Sequence, residues 1–216
     1  MNSPSRSPIL QLHDLNVTYP GEPPLARGWC ASIGPGVTLL HGDTGSGKST
    51  LLRVMAGRLP ARGHLTLAGL NLHENAEAYR RQVFFLEAGA EAFDQVVARE
   101  CRVAANAVAG RFSESTWQHL VEGFTLSAHL DKPMYMLSTG SKRKVWLAAA
   151  LASGAALTLL DEPTSGLDAA SIGCLWRALA RIGEQPDRAM VIASAERIDR
   201  VPLAATIELP LGGPHA

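Results

Sequence analysis

Apolar runs of strand length alternate with stretches of helical spacing along most of the chain. Seven short, largely apolar runs predict strands, at 9–18, 36–41, 63–72, 82–86, 156–160, 189–193 and 206–209. Three longer stretches predict helices, at 48–56, 142–152 and 169–182. Several strands are apolar on both faces, as is typical of a mainly parallel sheet covered by helices on each side. The pattern therefore predicts an α/β fold.

The segment from about 91 to 130 departs from this alternation, because it is helical in pattern and less apolar. We predict a helical lobe over about 88–145, set into the domain. The length of 216 residues fits a single domain, 1–216, with such an insertion. Residues 1–8 are polar and contain Pro, and we expect them to form a short disordered tail.

Charge and cysteine usage exclude several classes of function. The chain carries 20 basic and 20 acidic residues, whereas nucleic-acid binders usually show a basic excess or stripe. The one tight basic cluster, at 142–144, is predicted to be a solvated helix face, and we expect no nucleic-acid partner. Cys30, Cys101 and Cys174 lack metal-ligand or CxxC spacing, which is typical of unpaired thiols in a reducing compartment.

Membrane segments are not predicted either. No window approaches the roughly 18 uninterrupted apolar residues of a spanning helix. The amino-terminal residues lack the apolar stretch of a signal peptide. If the protein works at a membrane, we expect another chain to supply the spanning part.

A phosphate-binding loop is the strongest single motif. Residues 42–49 read GDTGSGKS and match GxxxxGK[ST] between a predicted strand and a predicted helix. Backbone N–H groups of such a loop point at phosphate oxygens, and the helix N-terminus adds a positive dipole end. Lys48 is expected to reach the terminal phosphates, and Ser49 to offer its hydroxyl to Mg²⁺. The predicted nucleotide-binding residues here are Gly42, Asp43, Thr44, Gly45, Ser46, Gly47, Lys48, Ser49 and Thr50.

Two carboxylates follow the buried strand 156–160. Asp161, at the carboxyl end of a strand expected to lie beside the phosphate loop, is placed to hold Mg²⁺ through water. Glu162 can orient and deprotonate an attacking water. We therefore predict nucleotide hydrolysis, with Glu162 and Lys48 as catalytic residues.

Three further motifs resemble those of the ATP-binding cassette (ABC) family, both in sequence and in their order and spacing along the chain. Residues 137–141 read LSTGS and resemble the signature LSGGQ, and 165–168 read SGLD and resemble the D-loop. Tyr19, at the end of the first predicted strand, matches the family's aromatic residue that stacks on adenine. The resemblance extends from residue 19 to about residue 200.

The resemblance implies a P-loop NTPase core with a mainly parallel sheet, an antiparallel amino-terminal β portion and an inserted helical lobe. It implies binding of ATP and Mg²⁺, and a head-to-tail dimer with a second cassette, identical or not. In that dimer, Ser138 and Gly140 of one chain would contact the terminal phosphate held by the other. Thr139 and Ser141 replace the usual glycine and glutamine, and both are small enough that docking should survive.

One departure from the family pattern follows the strand 82–86. The family places a glutamine there, which touches Mg²⁺ and the attacking water. Glu87 aligns with that position. Its carboxylate can still ligate Mg²⁺ and take part in catalysis, but it adds negative charge beside the phosphates.

A second departure follows the strand 189–193. The family places a histidine there that contacts the terminal phosphate, and Ala195 stands at the aligned position. Ser194 and Arg197 are the nearest residues whose side chains could replace the missing donor. We therefore predict an ATPase with slow turnover.

Three functions fit these residues, and we favour the first. The chain would be an ATP-binding and ATP-hydrolysing subunit of an ABC transporter, cytoplasmic and peripheral at the inner face of the cell membrane, driving a separate transmembrane subunit. Its short length resembles stand-alone transporter subunits, including the haem-exporter type. It would alternatively be a slow or non-hydrolysing, nucleotide-gated regulatory subunit paired with a competent cassette. A soluble ABC ATPase acting on DNA or ribosomes would usually carry long insertions, tandem cassettes or basic arms, which are missing.

Overall fold

The fold was derived from a computed structural model that describes residues 7–18, 23–86, 95–108 and 110–211. Within those ranges a parallel sheet has the strand order β6-β7-β8-β3-β9. Its strands are β3 (Gly36–His41), β6 (Val83–Leu86), β7 (Leu157–Asp161), β8 (Ala189–Ser194) and β9 (Leu203–Glu208). All four pairings between neighbours are parallel. The predicted α/β class with a mainly parallel sheet is confirmed.

A second, antiparallel sheet is built from the amino-terminal part of the chain and has the order β2-β1-β4-β5. It contains β1 (Leu10–Val17), β2 (Ala26–Ile33), β4 (Arg62–Leu67) and β5 (Leu70–Asn71). The antiparallel amino-terminal β portion is therefore confirmed. The predicted disordered tail falls mostly outside the described residues, since only 7 and 8 of its eight positions are described.

Two details of this sheet differ from the sequence prediction. The prediction of a single strand over 63–72 is wrong. The chain reverses at Ala68 and Gly69, which both have positive φ, so that β4 pairs with β5. β2 is absent from the prediction because its residues do not alternate regularly, and only its two end residues are buried.

Helices cover both faces of the parallel sheet. α1 (Lys48–Met55) packs with the antiparallel sheet on one face, and α6 (Ala169–Gly183) packs on the other. The short α2 (Ala76–Arg81) is an unpredicted helix, capped by the side chain of Asn75. Tyr79 is its one buried residue, so the segment has no apolar periodicity to reveal it.

Helices predominate in the described part of the predicted lobe. It contains α3 (Cys101–Ala107), α4 (Glu114–Gly123) and single 3₁₀ turns, followed by α5 (Thr139–Ala152). α5 begins earlier than predicted, because Ser138 caps it by accepting a hydrogen bond from the Ser141 N–H. Its second half is buried among α3, α4, α6 and the sheet, so α5 joins the lobe to the core.

None of the helices in the described ranges combines the length and the apolar character needed to cross a bilayer. The three cysteines are unpaired, with Cys30 exposed and the other two buried.

Candidate functional site

A cavity of about 600 Å³ opens at the carboxyl edge of the parallel sheet. Residues from three segments line it, namely 44–50, 161–165 and 194–196. These segments follow β3, β7 and β8, which are neighbours in the sheet, so their carboxyl ends meet at one edge. The structure thus brings together the phosphate loop, the paired carboxylates and Ala195.

The phosphate loop leads directly into α1. Gly47 occupies the N-cap position of that helix with a φ of 95°, in the left-handed region that glycine adopts without strain. A Cβ at Gly47 would lie 2.5 Å from a methyl carbon of Leu25, whose side chain would have to shift. The loop therefore depends on glycine here chiefly for its backbone conformation.

Lys48 is the first residue of α1 and is 7% exposed. Its Nζ donates hydrogen bonds to the carbonyl oxygens of Gly42, at 2.7 Å, and Asp43, at 3.0 Å. The same Nζ lies 3.7 Å from Oε1 of Glu162. The ammonium group is thus held by its own loop and lies close to the carboxylate that follows β7.

Glu162 directly follows β7 and has a φ of 44°, which is uncommon for a residue other than glycine. Its N–H donates to the carbonyl of Ala193 at 3.0 Å. Its carboxylate Oε1 accepts a hydrogen bond from the Ala195 N–H at 3.0 Å. Such a backbone conformation costs on the order of 1–3 kcal/mol and persists only where neighbouring groups enforce it.

Asp161 ends β7 and is 4% exposed. It lines the same cavity as Ser49, so a carboxylate and a hydroxyl, both oxygen ligands suited to Mg²⁺, face one space. Among the described residues, no group of three or more His, Cys, Asp or Glu side chains could hold a metal. Mg²⁺ in nucleotide sites is usually held by one or two carboxylates together with phosphate oxygens and water.

Ala195 lies directly after β8, beside the Glu162 carboxylate, and offers no side-chain donor. Ser194 is 6% exposed, and its hydroxyl oxygen accepts a hydrogen bond from the Glu196 N–H. Arg197 pairs with Glu208 at 3.1 Å. A hydrogen bond from His41 and the charge of Arg197 lower the pKa of Glu208, so this pairing persists near neutral pH.

The signature residues lie apart from this cavity in the same chain. Ser138 uses its hydroxyl to cap α5, and neither it nor Gly140 lines the cavity. A Cβ at Gly140 would lie 2.7 Å from the carbonyl oxygen of Gly166, so the signature presses closely on the D-loop.

The basic run 142–144 is not the solvated helix face predicted from the sequence. Arg143 Nη2 donates to the carbonyl oxygens of Asp161, at 2.7 Å, and Glu162, at 2.6 Å. Burial lowers the pKa of Arg143. Lys144 Nζ lies 2.5 Å from Oδ2 of Asp168.

Helical spacing could have revealed the position of Arg143. It precedes Leu147 and Leu151 by one and two turns, and both leucines are fully buried. Arg143 therefore lies on the inward side of α5, toward the sheet.

Two predicted site residues, Tyr19 and Glu87, lie outside the described residues. Adenine stacking by Tyr19 stays a prediction. So do Mg²⁺ ligation and catalysis by Glu87.

Known proteins with similar sequences include ATP-binding export and import proteins. The family model for "ABC transporter" matches residues 32–165. The cytochrome c biogenesis ATP-binding export protein of Rhodospirillum rubrum is 36% identical over 191 residues, covering 88% of this chain and 81% of that protein. The zinc import ATP-binding protein of Halorhodospira halophila is 31% identical over 188 residues, covering 87% and 68% respectively.

A solved structure has the same fold. It is a dimeric ATP-binding cassette in a post-hydrolysis state, bound to ADP and phosphate. It superposes with a TM-score of 0.72 at 20% identity, covering 87% of this chain and 88% of the other.

Proposed function

The chain belongs to the ABC transporter family as an ATP-binding subunit, and from this premise we propose how its residues bind and hydrolyse ATP. The family is one of ATPases, so the reaction class follows from membership. The roles of individual residues, the metal, the partner chains and the rate are our proposals.

One observation carries the proposal, namely the convergence of a cation and two carboxylates on one cavity. Lys48 Nζ lies 3.7 Å from the Glu162 carboxylate, and Asp161 and Ser49 line the same space. The phosphate loop beside them supplies backbone N–H groups and the N-terminus of α1, which favour bound phosphate.

We assign the chemical step to Glu162. A water oxygen attacks the terminal phosphorus of ATP, the bond from that phosphorus to the bridging oxygen breaks, and ADP and phosphate leave. Glu162 takes the proton from the attacking water, with its carboxylate held by the Ala195 N–H. Lys48 exchanges its bonds to the Gly42 and Asp43 carbonyls for bonds to phosphate oxygens.

We assign Mg²⁺ to Ser49 and Asp161, with Glu87 as a further ligand. The donor set fits, because a hydroxyl and a largely buried carboxylate line one cavity. When bound, Mg²⁺ neutralises charge on the terminal phosphates.

We place the signature of a second cassette opposite the phosphate loop. Ser138 and Gly140 stand at the start of α5, where a hydroxyl, backbone N–H groups and a helix dipole meet. Because they are absent from the cavity of their own chain, they would complete the site of a partner chain. The dimeric cassette structure of the same fold is consistent with that arrangement.

Slow turnover is proposed because Ala195 lacks a donor for the transition-state charge. Losing one such donor costs about 2.7–4 kcal/mol in comparable sites, so hydrolysis would be roughly a hundredfold or more below a fully equipped cassette. Arg197 is not well placed to replace it, since it pairs with Glu208. Ser194 lines the cavity, but its short hydroxyl already accepts a hydrogen bond from the Glu196 N–H.

Of the two named relatives, one is an ATP-binding export protein and the other is a zinc import ATP-binding protein. The regulatory alternative is therefore not favoured. We propose a peripheral position at the inner face of the membrane, where a separate transmembrane chain is driven by closure and opening of the cassette dimer. The direction and substrate of transport would be set by that chain.

Calorimetric titration with Mg-ATP tests the proposal. Lys48→Ala should abolish binding, because the phosphate charge loses its fixed cation, while the exposed Lys132→Ala should bind as wild type does. Undiminished affinity in Lys48→Ala would place the nucleotide elsewhere.

A further inference from the structure

Both sides of the Glu162 backbone are held by groups from other elements. Its N–H donates to Ala193 of β8, and its carbonyl accepts from Arg143 of α5. Pairing between β6 and β7 ends at Leu160, so Asp161 and Glu162 extend beyond that ladder. Arg143 supplies donors to both carbonyls at the point where this strand pairing stops.

The positive φ of Glu162 makes that support important. Without external contacts, a residue with a Cβ leaves the left-handed region, because that conformation is strained. Relaxation of φ would rotate the side chain away from the Ala195 N–H that holds its carboxylate.

α5 is well suited to act as the anchor for this support. Lys144 contacts Asp168 and Gly140 presses on Gly166, so the first turns of α5 contact the chain after β7 at three places. Arg143 itself is half-buried, and burial of its guanidinium favours retention of both hydrogen bonds.

We infer that Arg143 is a positioning residue that orients Glu162 of its own chain for hydrolysis. It is not among the residues that line the cavity, and it acts through the Asp161 and Glu162 carbonyls. The inference rests on the proposed role of Glu162 as general base.

The first test measures ATP affinity and single-turnover hydrolysis in Arg143→Met, which keeps the length of the side chain but removes its donors. Affinity should stay within about threefold, whereas hydrolysis should fall at least about tenfold, because misplacement by about 1 Å can cost a hundredfold. The exposed Arg181→Met on α6 is the matched control and should change neither. An unchanged hydrolysis rate in folded Arg143→Met would overturn the inference.

Mixed dimers separate positioning from general structural damage. When one chain of the dimer carries Lys48→Ala, the remaining active site uses Lys48 and Glu162 of the unaltered chain. Adding Arg143→Met to the chain with the intact Lys48 should slow hydrolysis at least about tenfold. Adding Arg143→Met to the Lys48→Ala chain should change the rate less than about twofold. Slowing from both placements, or only from the Lys48→Ala chain, would contradict the assignment to Glu162. If Arg143→Met does not fold, Arg143→Gln, which keeps one donor group, takes its place. Its effect should depend in the same way on which chain of the dimer carries it.

Amide hydrogen exchange gives a readout that needs no hydrolysis. Exchange at the Glu162 and Ala195 amides should be roughly tenfold faster in Arg143→Met, as for loss of a hydrogen bond from a charged donor. Arg181→Met should keep wild-type protection. Unchanged protection of both amides would overturn the inference, whereas a wild type that fails to hydrolyse ATP would refute the proposed function instead.

Discussion

The two sides of the nucleotide cavity are built in different ways. On one side, residues 42–50 form one continuous segment, and Lys48 is held by carbonyls of that same segment. On the other side, Glu162 is held by Ala195 after β8 and by Arg143 of α5. With the roles proposed above, nucleotide binding would be specified locally, whereas hydrolysis would depend on the packing of several elements.

Glu162→Gln should give the largest difference between the effect on hydrolysis and the effect on ATP binding. The amide cannot take a proton from water, so hydrolysis should fall roughly a thousandfold or more. Because the phosphate loop is intact, ATP-bound dimers should accumulate, which light scattering with Mg-ATP would detect. Hydrolysis at the wild-type rate would move the general base elsewhere, with Glu87 the next candidate.

Ala195→His should act in the opposite direction. A donor beside the terminal phosphate should raise single-turnover hydrolysis up to roughly a hundredfold, with little change in ATP affinity. Glu87→Gln is added if the single change is insufficient, since it would remove the negative charge that we propose lies beside the phosphates. The account is contradicted if wild type already hydrolyses rapidly and neither change increases the rate.

Replacing Ser138 by Phe should slow hydrolysis roughly tenfold or more while sparing ATP binding to the isolated chain, because α5 would present a bulky group to the partner's phosphate. Mixed dimers provide the check. A chain with an intact signature and Lys48→Ala should restore turnover at the site whose phosphate loop belongs to the Ser138→Phe chain. Failure to restore it would argue against a site shared between chains.

Glu208→Gln should have the smallest effect. The change releases Arg197, whose exposed ion pair contributes little, so the hydrolysis rate should stay within about twofold of wild type. The pKa of Glu208 is lowered, so its contribution to stability is present above the ordinary carboxyl pKa and is lost as pH falls through the lower folded value. Assays near neutral pH therefore compare wild type, in which the Arg197–Glu208 ion pair is intact, with a variant that lacks it. A large increase in rate would identify Arg197 as a latent donor.

Local motifs were the part that the sequence predicted well. The phosphate loop is contiguous and stands between a strand and a helix, as predicted, and the acidic pair ends a fully buried strand. Ala195 was placed by the family resemblance, and the structure brings it to the Glu162 carboxylate.

Features that depend on packing were missed. Arg143 belongs to a run of three basic residues, and its spacing to the buried Leu147 and Leu151 indicates its inward side, but its contact with the end of β7 depends on how α5 docks. α2 and β2 were missed because their exposed residues outnumber their buried ones, so neither has an apolar periodicity. The reversal at Ala68 depends on a positive φ, which cannot be predicted from an alanine.

The affinity of Glu162→Gln for Mg-ATP, measured by calorimetric titration beside Lys48→Ala, tests the division between the two sides most directly. We expect an affinity within about threefold of wild type, because in our proposal Lys48 and its loop hold the phosphates and the Glu162 carboxylate does not. A loss of binding as complete as that of Lys48→Ala would contradict it.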